Sequence, residues 1–162
     1  MTFNSMDALK NYILTHSEVA VEKARDKVAM VINHFLTQYY KEFDPEVYVR
    51  TYQLLCSLIK SDVKFINNGW VAEVYFDLDA LNYATRIVPA RFSGASGNNT
   101  FHRENWTKEN DEWVLKTAMV GSKPHGGYAG GTAIWTESVK VLSKQGIDLL
   151  KQELIKAGIP VR

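Results

Sequence analysis

Cysteine occurs once, proline four times, and charge of either sign is close to balanced. Each scarcity excludes something. A lone Cys56 rules out an internal disulfide framework and a cysteine-built metal cluster, and it fits a reducing compartment. Nineteen basic residues against eighteen acidic leave a formal net charge of +1, so no global field draws the chain to nucleic acid or to an anionic membrane. No continuous apolar run reaches the length of a signal or a membrane span. The first thirty residues are interrupted by Asp7, Glu18, Glu22 and Asp26. The expectation is a soluble chain with no membrane partner, made in the cytoplasm of its producing cell. Internal repeats and low-complexity tracts are also missing.

What is present is enough apolar residue, 46% of 162, for one core, and a single domain over 1–162 is expected. Asp7 to Leu14 reads as a short helix and Ser17 as the N-cap of the next. From Glu18, Val21, Ala24, Val28, Val31, Ile32, Phe35, Leu36 and Tyr39 recur at three- and four-residue steps, one stripe of a helix running to about Lys41. Asp44-Pro45 stops it: proline cannot continue a helix and disfavours helical geometry just before itself. The same pair starts another helix, with Asp44 as cap and Pro45 in the first turn. This second helix is expected to reach Ser57 or Lys60, with Val47, Thr51, Leu54, Leu55 and Leu58 on one face and Cys56 beside that seam. The two helices then form a bent pair.

Beyond Lys60 the period shortens. Val63 and Phe65 lead into "INNGW" (66–70), where Asn68-Gly69 signals a hairpin, and "WVAEVYFDL" (70–78) alternates as its return strand, with Trp70, Ala72, Val74 and Phe76 on one side. Residues 79–110 lose periodicity, 111–121 regain β character, and 122–131 form a glycine-rich loop. Thr132 is placed to cap a last helix to about Ala157. Ile134, Trp135, Val139, Leu142, Ile147, Leu150, Leu154 and Ile155 supply its stripe, and Gly146 is a weak point. Gly158 and Pro160 close it. The predicted architecture is α+β: a long N-terminal helix and a second helix packed on a small antiparallel sheet, with a C-terminal helix.

Reactive constellations are sparse. His16, His34, His102 and His125 lack ligand spacing, and no serine stands in a GxSxG setting. Asp77 and Asp79 fit a turn more readily than an acid–base pair. "HGGYAGGTA" (125–133) matches neither dinucleotide nor P-loop spacing and reads as a hinge. The expectation is no catalytic residue, no metal and no cofactor. The stretch from Arg86 to Lys108 is different: it holds Arg86, Arg91, Arg103 and Lys108 against Glu104, with Phe92, Phe101, His102 and Trp106 interleaved. Basic residues among aromatics suit another subunit's acidic rim or a nucleic-acid backbone, and a plain surface loop has the same composition. Four tryptophans, eight tyrosines and seven phenylalanines also suit interface cores, as they suit an ordinary interior.

The run "YYKEFDPEVYVRTYQLLCSLI" (39–59) carries a resemblance. Tyr39, Tyr40, Pro45, Tyr48, Arg50, Thr51, Leu54, Ser57 and Leu58, with Gly158-Ile159 near the end, resemble the tail-completion or head–tail joining proteins of tailed phages and prophages of Gram-positive bacteria. The likeness covers roughly residues 18–78 and 132–160. It departs at Phe43, where a tyrosine is usual, and at Gln53-Leu54, where relatives carry Gly-x-Leu. It implies a non-enzymatic virion protein at the neck. Copies would form a ring, hexameric as the first expectation, with connector proteins on one side, tail tube or terminator on the other, and DNA passing transiently. Tyr48, Arg50 and Thr51, with the 86–108 loop, would be the interface. A nucleic-acid-binding or regulatory module using that same loop is the alternative.

Overall fold

The computed structural model describes residues 2–42, 53–77, 79–80, 119–120 and 132–161. Its elements are α1 (Met6–Glu42), α2 (Gln53–Cys56), β1 (Leu58–Lys60), β2 (Lys64–Ile66), β3 (Gly69–Val71), β4 (Val74–Phe76) and α3 (Ile134–Lys156). This is the expected α+β order, with a long N-terminal helix, a small antiparallel region and a C-terminal helix. Contacts group the chain into two compact units, one of residues 1–32, 60–75 and 138–162, the other of 33–59 and 76–137.

α1 is one helix of 37 residues, about 55 Å long. Its cap is Ser5, whose Oγ accepts from the Ala8 amide at 3.1 Å while its carbonyl takes the Leu9 N–H. The break expected before Ser17 does not occur. Ser17 Oγ turns inward and donates to the Ile13 and Leu14 carbonyls at 2.6 and 3.0 Å, the back-bonding that a mid-helix serine makes. The apolar stripe is where its period puts it: Ile32 and Leu36 are fully buried, each contributing about 1.5–3 kcal/mol by removal from water.

In the first unit the β2–β3 hairpin pairs Lys64 with Val71, Phe65 with Trp70 and Ile66 with Gly69. Its turn residues are Asn67 and Asn68, at φ 51° and 64°. Both are left-handed, as a type I′ turn demands and as asparagine tolerates. The turn therefore sits one residue earlier than Asn68-Gly69, and Gly69 opens the return strand. Phe65 and Trp70 meet edge to face at 5.0 Å.

The expected long return strand is two short ones, because the partner strand holds an extra residue. Ser61 and Glu73 face each other, Ser61 N–H donating to the Glu73 carbonyl at 2.9 Å. From there to the Lys64–Val71 pair the first strand takes three steps and the second only two. The surplus is a β-bulge at Asp62–Val63. Ser61 Oγ bridges it, accepting the Glu73 amide and donating to the Asp62 carbonyl. The bond from the Asp77 amide to the Ser57 carbonyl closes the far end, so β1 and β4 run antiparallel.

The second unit buries Leu36, Leu54, Ile134 and Ser57. The described part of the second helix ends at Cys56, short of the predicted boundary, and Leu58 and Ile59 belong to β1. Ser57 makes the stop: its N–H and its Oγ both turn back to the Leu54 carbonyl, at 3.3 and 2.8 Å. Cys56 is exposed instead of packed beside a seam. Met119 and Val120 are helical where β character was expected. The Asp44-Pro45 joint, the rest of 111–121 and the loop 122–131 lie outside the described residues.

α3 begins at Ile134 with the Ala133 carbonyl accepting the first helical bond. Thr132 does not cap it. Its amide and hydroxyl both donate to the Glu42 carboxylate, at 2.8 and 2.5 Å, tying the end of α1 to the approach of α3. The C-terminus ends as predicted. Gly158 is left-handed at φ 85°, its N–H donates to the Ile155 carbonyl and that of Ile159 to Leu154, the two bonds of a Schellman motif. Tyr12 Oη lies where a Gly158 side chain would project.

Candidate functional site

All nine residues proposed from sequence as an interface, Tyr48, Arg50, Thr51, Arg86, Arg91, Phe92, Phe101, Arg103 and Trp106, lie outside the described residues, as do His102 and His125. Of the other residues weighed for chemistry, His16 stacks on Tyr12 at 3.8 Å with Nδ1 2.8 Å from the Tyr12 carbonyl, and His34 meets the edge of Phe35. The Asp77 carboxylate accepts the Asp79 amide at 2.9 Å, which makes that pair a turn. Among the described residues, no three His, Cys, Asp or Glu side chains are grouped to hold a metal ion, and no helix is long and apolar enough to cross a membrane.

Two charged clusters shape the first unit. Arg25, nearly buried, donates to the Ser61 carbonyl at 2.6 Å and to Asp26 at 2.9 Å, with Glu22 at 3.5 Å. Lys60 reaches the same Asp26 oxygen at 3.0 Å. The Lys60 ammonium, and after it the Arg25 guanidinium, hold the Asp26 carboxyl below its ordinary range by stabilising the anion. Further along, Glu153 is only 7% exposed and takes Lys156 at 2.8 Å and Lys27 at 2.6 Å. Hydrogen bonds from Lys156 and then Lys27 lower the Glu153 pKa, and Glu153 in turn raises that of Lys156. A buried carboxylate with two cations is a satisfied latch between α1 and α3. Among the described residues, each charge of the two clusters has an opposite partner.

The unspent surface is on α3. One side of it is buried at Ile134 and Ser138 and half-buried at Val141 and Leu149. At about 100° per residue, Trp135, Val139 and Leu150 fall on a different side, and all three are exposed, as is Ile147 at 73%. Sequence reasoning placed Trp135, Val139, Ile147, Leu150 and Ile155 in the core stripe; the structure puts them outside. The clue was available: α3 has more apolar positions than one inward stripe of roughly 100° holds.

Among the described residues, the charged clusters close on one another while an apolar face of α3 stays in water. The chain belongs to the YomN family, whose profile matches residues 5–156. The family name derives from a Bacillus phage or prophage, so the chain is phage-related. This is the phage half of the resemblance noted above, through a family other than tail completion. Neither a curated protein nor a solved structure matches the chain.

Proposed function

We propose that the chain is a non-enzymatic structural component of a phage particle, acting at the head–tail junction in a ring of copies docked to connector and to tail-tube or terminator proteins. What carries this reading is the pairing of a phage-related family match over nearly the whole chain with an exposed apolar face on α3. Solvent-facing Trp, Val, Ile and Leu side chains on one helix are costly for a free monomer and ordinary for a subunit. The tight internal closure of Arg25, Asp26, Glu153 and their lysines agrees with a scaffold whose job is shape.

The experiment is deletion of the coding sequence from a phage or inducible prophage, followed by electron microscopy of the lysate. The expected result is filled heads and finished tails lying separate, with joining restored when the chain is supplied in trans. Joined, infectious particles without the chain would overturn the junction role. Mass spectrometry of purified particles locates the protein independently: it is expected in the virion at several copies per particle.

A further inference from the structure

The outer face of α3 has an internal asymmetry that says what fits it. Going round the helix from the exposed stripe of Trp135, Val139 and Leu150, Ile147 comes next, then Lys140, Lys144 and Lys151 in one row, and Glu137 and Asp148 beyond them. Lys144 and Lys151 pair with no carboxylate among the described residues. The opposite flank carries Leu142, half-buried, and Glu153, whose carboxylate is closed inside its lysine pair. The stripe is thus apolar in the middle and basic along one edge only.

Gly146 lies in that stripe between Val139 and Leu150. A glycine in a helix interior costs stability relative to alanine, so it needs a reason. The described residues supply none, because a β-carbon built at Gly146 meets nothing among them within 4 Å. What a missing side chain does provide is a notch where a second backbone can come close. A flat lipid surface gains nothing from such a notch.

We propose that this face receives an amphipathic helix of a different protein, one with an apolar seam and an acidic edge, crossing α3 at Gly146 with its carboxylates against Lys144 and Lys151. The α3 of a second copy fits badly. Two α3 helices paired antiparallel about a twofold axis set each flank against itself, lysine row on lysine row. Paired parallel, the lysine row meets a flank whose only carboxylate is already buried and taken. The proposal rests on the helix face and not on the place in the particle, so it stands or falls apart from the deletion experiment.

The test uses the whole chain and two dye-labelled synthetic helical peptides with the same leucine seam, one edged with glutamates and its twin with lysines. Fluorescence anisotropy is expected to show the glutamate peptide binding about tenfold tighter than the twin, with the gap closing as salt is raised. Lys144→Glu with Lys151→Glu reverses the order, and Ile147→Ser weakens both peptides while leaving the circular dichroism of the chain unchanged. Failure to bind either peptide, or equal binding of both, overturns the proposal. So does self-association of the chain that Ile147→Ser abolishes, or capture on anionic vesicles in preference to the glutamate peptide.

Discussion

α1 and α3 are both long helices with a helix-weakening residue in the interior, and the chain treats the two weak points differently. At Ser17 the fold closes in. The hydroxyl bonds back to Ile13 and Leu14, and the Trp70 indole, 56 residues away in sequence, donates to the same Leu14 carbonyl at 2.9 Å. At Gly146 nothing closes in. One weak point is met by the chain's own hairpin and the other by none of the described residues, which separates a position used for folding from the one proposed for docking.

The comparison can be sharpened by substitution. The largest effect is expected at the end of α3: Gly158→Ala forces a side chain into left-handed backbone and against the Tyr12 hydroxyl, and should cost about 2–4 kcal/mol in chemical denaturation. An unchanged midpoint would mean that the C-terminal lock is not formed.

The charged latch predicts a pH signature. The Glu153 and Asp26 carboxyls titrate below their ordinary values of 4.5 and 3.8. Their contribution is therefore complete above those values and is lost as pH falls through the lowered ones. Lys156 is raised above 10.5, so its share is complete below that pH and fades as pH climbs through the raised value. Glu153→Gln should flatten both limbs of a stability–pH curve; a curve unaltered by it would contradict the latch.

Trp70→Phe keeps the ring against Phe65 but removes the donor to Leu14, and should cost about 0.5–1.5 kcal/mol. The smallest effect is the most discriminating. If Ser17 were a cap, Ser17→Ala would destabilise by about 1 kcal/mol. Mid-helix, it should be neutral or stabilising by a few tenths of a kcal/mol.

These positions also show what sequence can and cannot reveal. The hairpin was legible because Asn67, Asn68 and Gly69 sit between β-forming residues, and the C-terminal stop because Gly158 and Pro160 act locally. Ser17 misled because a capping serine and a back-bonding one look alike within ten residues. The end of α2 was hidden inside "LLCSLI", an apolar run too short for a period of 2 to be told from 3.6; the turn at Ser57 decides it. The bulge left no signature, since it exists only as a mismatch between two strands. For the site, the apolar excess of α3 was readable as a count but not as a direction. The nine residues favoured from sequence all fall in segments outside the described structure.

The sharpest single measurement is the stability of Gly146→Ala in the isolated chain. With no atom of the described residues within reach of the added methyl group, the chain should become more stable by about 0.5–1 kcal/mol, the ordinary gain of alanine over glycine in a helix. A loss of stability would show that the chain itself packs against Gly146, and the face would then belong to the core and not to a partner.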